Sequence, residues 1–108
     1  MGEQAVLVTF ALSGDGLPSE EDRRRVSALE RRLDAVLSES HLGELDGHEY
    51  GGGEVVIFLY GEDARLLFAA VEADLRAFDS PSGHAVVRSG GPDEAPPERV
   101  VVLTRQST

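Results

Sequence analysis

The sequence contains no cysteine, no lysine and no tryptophan, and its apolar runs are no longer than a strand. Without cysteine, disulfides, thiolate metal centres and cysteine nucleophiles are all excluded. No run approaches the ~20 apolar residues that a spanning helix needs, so a membrane role is not expected. The start, Met1-Gly2-Glu3-Gln4, has no basic segment of the secretory kind, and Val6 stands where a myristoylation pattern needs Ser or Thr. A cytoplasmic location without a lipid anchor is therefore expected.

Positive charge is also scarce: ten basic residues, all arginine, face twenty acidic ones, for a formal net charge of −10. Such a field repels a phosphate backbone, so nucleic acid is not an expected partner, while basic proteins are drawn to it. The arginine bias, with the richness in Ala, Gly and Val, fits a high-GC bacterial genome and says little about mechanism. At 108 residues the chain has the length of one domain. Hydrophobic residues, at 41%, are grouped in segments and so can form a core.

The run Ala5 to Leu12 is almost wholly apolar and predicts a central strand buried on both faces. Gly14-Asp15-Gly16 breaks it. Ser19 is then placed to cap a helix whose first turn holds Glu20, Glu21 and Asp22. Val26, Leu29, Leu33, Val36 and Leu37 give that helix one apolar stripe. The polar stretch Leu42 to Tyr50, the turn Gly51-Gly52-Gly53 and the apolar run Glu54 to Tyr60 predict a hairpin joining an exposed strand to a buried one. Asp63 caps a second predicted helix, whose face is Leu67, Phe68, Val71, Leu75 and Phe78. A short strand over His84 to Arg88, a proline-containing loop over Gly90 to Pro97 and a last strand over Arg99 to Thr104 complete the chain as a long-loop hairpin.

This order, β-α-β-β-α-β plus a C-terminal strand, predicts an α+β fold of ferredoxin-like type in one domain over residues 1–108. Its antiparallel sheet would carry both helices on one face. The other face would then be open and apolar in part, to be covered by a second copy, a partner or the C-terminal strand.

Candidate chemistry concentrates in His41 to Glu54. If residues 44 to 50 are extended, period-two alternation puts Glu44, Asp46, His48 and Tyr50 on one face. Two carboxylates and an imidazole there could hold a divalent metal, with Asp46 and His48 as the candidate ligands, or act as acid and base. No ligand motif is present, and a solvated edge strand explains the same residues. Gly14-Asp15-Gly16 lacks the Lys and Ser/Thr of a phosphate loop and reads as a turn. Arg23-Arg24-Arg25 and Arg31-Arg32 are interleaved with acids, as on a salt-bridged helix surface. No serine or histidine has the setting of a hydrolase triad.

Gly14-Asp15-Gly16-Leu17-Pro18-Ser19-Glu20, then Ala28-Leu29-Glu30 with Leu33, and Phe58-Leu59-Tyr60-Gly61, together resemble the regulator of ribonuclease E activity B family. The chain is equally similar to small uncharacterised proteins of high-GC bacteria, which imply no function. The family resemblance implies a small acidic protein of ferredoxin-like topology that inhibits a ribonuclease by binding it. It brings no catalytic motif and covers the region from Leu12 to Phe78. The Gly51-Gly52-Gly53 turn and the proline-containing C-terminal hairpin depart from its pattern.

The preferred reading is a non-enzymatic regulatory or inhibitory module, without a cofactor, that binds a basic protein such as a nuclease or toxin. Its expected contact residues are Glu44, Asp46, His48, Glu49, Tyr50 and Glu54. The alternative is a metal-dependent or small-ligand-binding enzyme or sensor using Glu44, Asp46 and His48. A homodimer through the open sheet face is compatible with either.

Overall fold

Strand β1 (Gln4–Ala11) lies at the centre of the sheet, because both of its backbone edges are paired: one to β3 (Glu54–Gly61), the other to β4 (Gly83–Arg88), each antiparallel. β2 (Glu44–Gly51) pairs with the far side of β3, and β5 (Glu98–Val102) with the far side of β4. The result is one five-stranded antiparallel sheet in the order β2-β3-β1-β4-β5. Helix α1 (Glu20–Ser40) connects β1 to β2, and α2 (Ala64–Ala77) connects β3 to β4. The computed structural model describes residues 4–13, 16–89 and 98–103. The expected loop over Gly90 to Pro97, together with Gly14, Asp15 and Thr104, lies outside them. No helix among the described residues is long and apolar enough to cross a membrane.

Alternation along each strand decides where the core sits. Val6, Val8 and Phe10 of β1, Val55, Ile57 and Leu59 of β3, and Ala85 and Val87 of β4 are buried and join one cluster with the helix residues Val26, Leu29, Leu33, Leu37, Leu67, Phe68, Val71 and Leu75. Both helices therefore cover the same face of the sheet. Burying each such side chain contributes roughly 1.5–3 kcal/mol, so this layer is the main source of stability.

The expectation that β1 is buried on both faces is corrected. Leu7 and Thr9, on the opposite side from Val6 and Val8, remain half-exposed. Two helices suffice for one face, and nothing among the described residues closes the other. Nor does the C-terminal strand cover that face: β5 pairs beside β4 and widens the sheet.

Local signals set the helix starts as the sequence implies. Ser19 Oγ accepts from the Asp22 amide at 2.9 Å, and the Asp22 carboxylate accepts from the Ser19 amide at 3.0 Å, a reciprocal capping box. Ser13 donates a further hydrogen bond to the same carboxylate, 3.0 Å to its Oδ1. Asp22 is 1% exposed yet fully partnered. Asp63 Oδ1 accepts from the Arg65 and Leu66 amides at the head of α2, and Gln4 Oε1 from the Ala64 amide. At the hairpin between β2 and β3, Gly52 and Gly53 have φ of 57° and 80°, the left-handed pair that a two-residue turn of the right twist demands.

Arg24, Arg25 and Arg32 of α1 are engaged by neighbouring acids, an aromatic ring or a backbone carbonyl. Arg24 pairs with Glu20 and Glu21, Arg32 with Asp74 of α2, and Arg25 lies 4.6 Å over the Phe78 ring while donating to the Asp79 carbonyl.

The capping box sets a pH dependence. The Ser19 amide beside Asp22 holds its carboxyl below the ordinary aspartate value, despite the opposing effect of burial. A carboxyl depressed in the folded state stabilises the fold above its unfolded pKa, and that contribution is lost as pH falls through the folded value. Asp22→Asn is therefore expected to flatten the acid limb of the stability curve below about pH 4. Ser19→Ala is expected to cost about 1 kcal/mol at neutral pH in chemical denaturation.

Candidate functional site

Where α1 ends and β2 begins, the chain turns through His41, Leu42 and Gly43. His41 caps the helix with φ 57° and ψ 28°, its amide donating to the Leu37 carbonyl at 2.9 Å. It is the one non-glycine residue with positive φ among the described residues, a conformation that costs an L-residue on the order of 1 kcal/mol. Gly43 then passes so close to the Tyr60 carbonyl that a Cβ there could not be accommodated. A Cβ on Gly61 would in the same way meet the Leu42 carbonyl. This crossing of two glycines brings the start of β2 against the end of β3.

The crossing leaves a groove of about 1060 Å3 between the last two turns of α1 and the start of β2. Asp34, Ser38 and His41 line its helix side, Glu44 and Asp46 its strand side, with Leu37, Leu45 and Tyr60 as apolar wall. Asp34, Glu44 and Asp46 are exposed. The last turn of α1 holds no basic residue, so the negative end of its dipole is uncompensated. Carboxylates and helix-end carbonyls are acceptors only, so the groove suits a donor-rich cation such as a guanidinium or ammonium.

The β2 residues singled out in the sequence do not share one face. A bulge between Leu45 and Gly47 makes Asp46 an extra residue and shifts the alternation by one. Gly47, at φ 152°, supplies the backbone conformation that the bulge requires. Glu44 is consequently opposite Tyr60 on the side of the sheet away from the core, and the two border the groove where it opens round the β2 edge. His48 and Tyr50 are opposite Ile57 and Val55, whose side chains enter the core, and so lie on the helix side. Glu49 pairs with Val56, again on the open face, and Glu54 stands at the hairpin turn, opposite Gly51.

His48 and Tyr50 are engaged with α1. His48 Nδ1 is 2.8 Å from Glu30 Oε2, its ring meets Tyr50 edge-on with centroids 4.8 Å apart, and the Arg23 guanidinium lies 5.4 Å from the Tyr50 centroid. Burial pushes the Tyr50 hydroxyl up from its ordinary pKa, with Glu30 acting in the same direction. These contacts tie the edge strand to the helix. They separate His48 from Glu44 and Asp46, and no three metal-ligating side chains converge among the described residues.

Asp34 and Ser38 are the groove residues that the sequence reading passed over. The signal was present: they are four apart, lie off the apolar stripe, and precede a helix end without lysine or arginine. No family model matches the chain, and neither the curated proteins nor the solved structures include a significant match to it.

The turn geometry is open to direct measurement. His41→Gly relieves the left-handed strain and is expected to raise stability by about 1 kcal/mol. Gly43→Ala forces the crossing apart and is expected to lower it by roughly 1–3 kcal/mol. Urea denaturation of both variants reads these shifts.

Proposed function

We propose that the chain is a non-enzymatic regulatory module that binds a basic protein, and that the groove at the end of α1 receives an arginine or lysine of that partner. The observation that carries this reading is the meeting of Asp34, Glu44 and Asp46 with a helix C-terminus that has no basic residue in its last turn. A net charge of −10 adds long-range steering toward a basic partner. The exposed acids Glu49 and Glu54 extend the negative surface along the β2–β3 hairpin, whereas His48 and Tyr50 serve to hold that strand on α1. The architecture suits a ferredoxin-like βαββαβ unit extended at the β4 edge by β5. Its resemblance to the regulator of ribonuclease E activity B family points to the same kind of role, and a nuclease or nuclease toxin is the partner class proposed.

A fluorescent arginine-rich peptide tests the reading by titration at low and high salt. Binding is expected to weaken steeply with salt and to fall at least about tenfold, or 1.4 kcal/mol, in the triple variant Asp34→Asn, Glu44→Gln, Asp46→Asn. A control variant with Glu20, Glu21 and Glu62 changed to Gln loses the same charge elsewhere and is expected to bind almost as the parent does. Equal losses in the two variants would reduce the interaction to net charge and remove the groove from it.

A further inference from the structure

Resting on the basic-partner reading, we infer that the same partner lays an amphipathic helix on the sheet face away from α1 and α2, apolar along one stripe and basic along its flank. Strand register places Phe58, Leu7, Val86 and Val100 in one cross-strand row on that face, with Val56 and Val102 in the next. Val100 and Val102 are 62% and 60% exposed, and no described residue closes the face. The charge around these rows is one-sided. Glu49 and Glu54 stand on the same face along its β2 side, and Glu44 is at the corner where the groove opens round the β2 edge. Among the described residues, Arg88 is the one arginine on this face; it lies toward β5 and is paired with Glu98 at 2.8 Å. Glu44 and Tyr60 border both surfaces, so the face continues the groove. Between Glu44 and Glu49 the edge is low, because Gly47 has no side chain and open space around it. A chain with its arginine in the groove crosses there to reach Phe58.

Backbone hydrogen bonding selects a helix as the occupant. This is the flat of a sheet and not its edge, so a strand or loop laid on it finds no backbone partners. Its amide and carbonyl groups would rest against apolar side chains, at a cost comparable to lost hydrogen bonds. A helix satisfies its own backbone and presents a stripe, as α1 and α2 do on the opposite face. Three two-residue steps along the strands and four spacings across them make the face about 20 Å on a side, the length of a helix of about 13 residues. Charge selects the flank. A second copy brings another −10 to this rim, and an anionic lipid surface is repelled in the same way. Arginines or lysines beside the apolar stripe instead meet Glu49 and Glu54, which set orientation and rate, while the apolar contact supplies affinity that salt does not screen.

Two fluorescent peptides of about four helical turns and identical leucine and arginine content test this by titration of the full chain. In one the leucines form a helical stripe; in the other the same residues are scrambled. The arginine-rich peptide without leucine is the third probe. The striped peptide is expected to bind at least about tenfold tighter than the scrambled one, and to keep that advantage at high salt, where the arginine-rich peptide is released. Leu7→Thr, which keeps a strand-forming residue in β1, is expected to reduce the ratio of striped to scrambled affinity at least about fivefold. Thr9→Arg, at a position already polar and half-exposed, repeats the test, and the ratio cancels its effect on net charge. Circular dichroism checks that both variants fold. Equal binding of striped and scrambled peptides, or a ratio that neither substitution moves, overturns the inference; the groove reading then stands if the arginine-rich peptide still binds and is weakened by the triple groove variant. A striped peptide that loses nothing in that triple variant overturns the continuity of face and groove. A dimer of twice the 11.6 kDa chain mass that Leu7→Thr dissociates in sedimentation gives the face to a second copy, and overturns the inference as well.

Discussion

Two helices can cover one face of a five-stranded sheet and no more, and most of what distinguishes this molecule follows from that limit. β1 is apolar on both sides because it sits at the centre, yet only Val6, Val8 and Phe10 reach the helices. The extra strand β5 does not relieve the imbalance. It lengthens by one strand the side that no described residue covers and adds Val100 and Val102 to it. The net charge of −10 opposes unspecific contact through that side.

The second constraint is the passage from α1 to β2. A long helix ending in a left-handed histidine must hand the chain to an edge strand across a gap set by Gly43 and Gly61. The space left over is the groove, and its lining is acidic on both walls. The bulge at Asp46 belongs to the same arrangement. By shifting the alternation it sends Glu44 outward and turns His48 and Tyr50 inward, where Glu30 and Arg23 fasten them. One extra residue thus separates a polar strand into an anchoring half and an acidic half.

Much of the architecture was legible in the residues. The spacing of Val26, Leu29, Leu33 and Leu37, the caps Ser19 and Asp63, and the glycine turn before β3 each encode a local choice, and local choices are what periodicity reads. The site was less legible because it depends on contacts distant in sequence. A bulge changes parity without any composition signal beyond Gly47, so alternation from Glu44 through Tyr50 gave a face that does not exist. The pairing of His48 with Glu30, eighteen residues away, and the place of Asp34 in the groove follow from packing. Exposure of Leu7 depends on how many helices lie over the sheet, which β1 itself does not encode.

The account rests most directly on the groove as the place where a cation is received. Amide chemical shifts of the labelled chain, followed while an arginine-rich peptide is added at low salt, locate the contact residue by residue. The account requires the largest shifts at Asp34, Ser38, His41, Glu44 and Asp46, and their disappearance at high salt. Shifts centred instead on the head of α1, or spread evenly over the acidic surface, would contradict it.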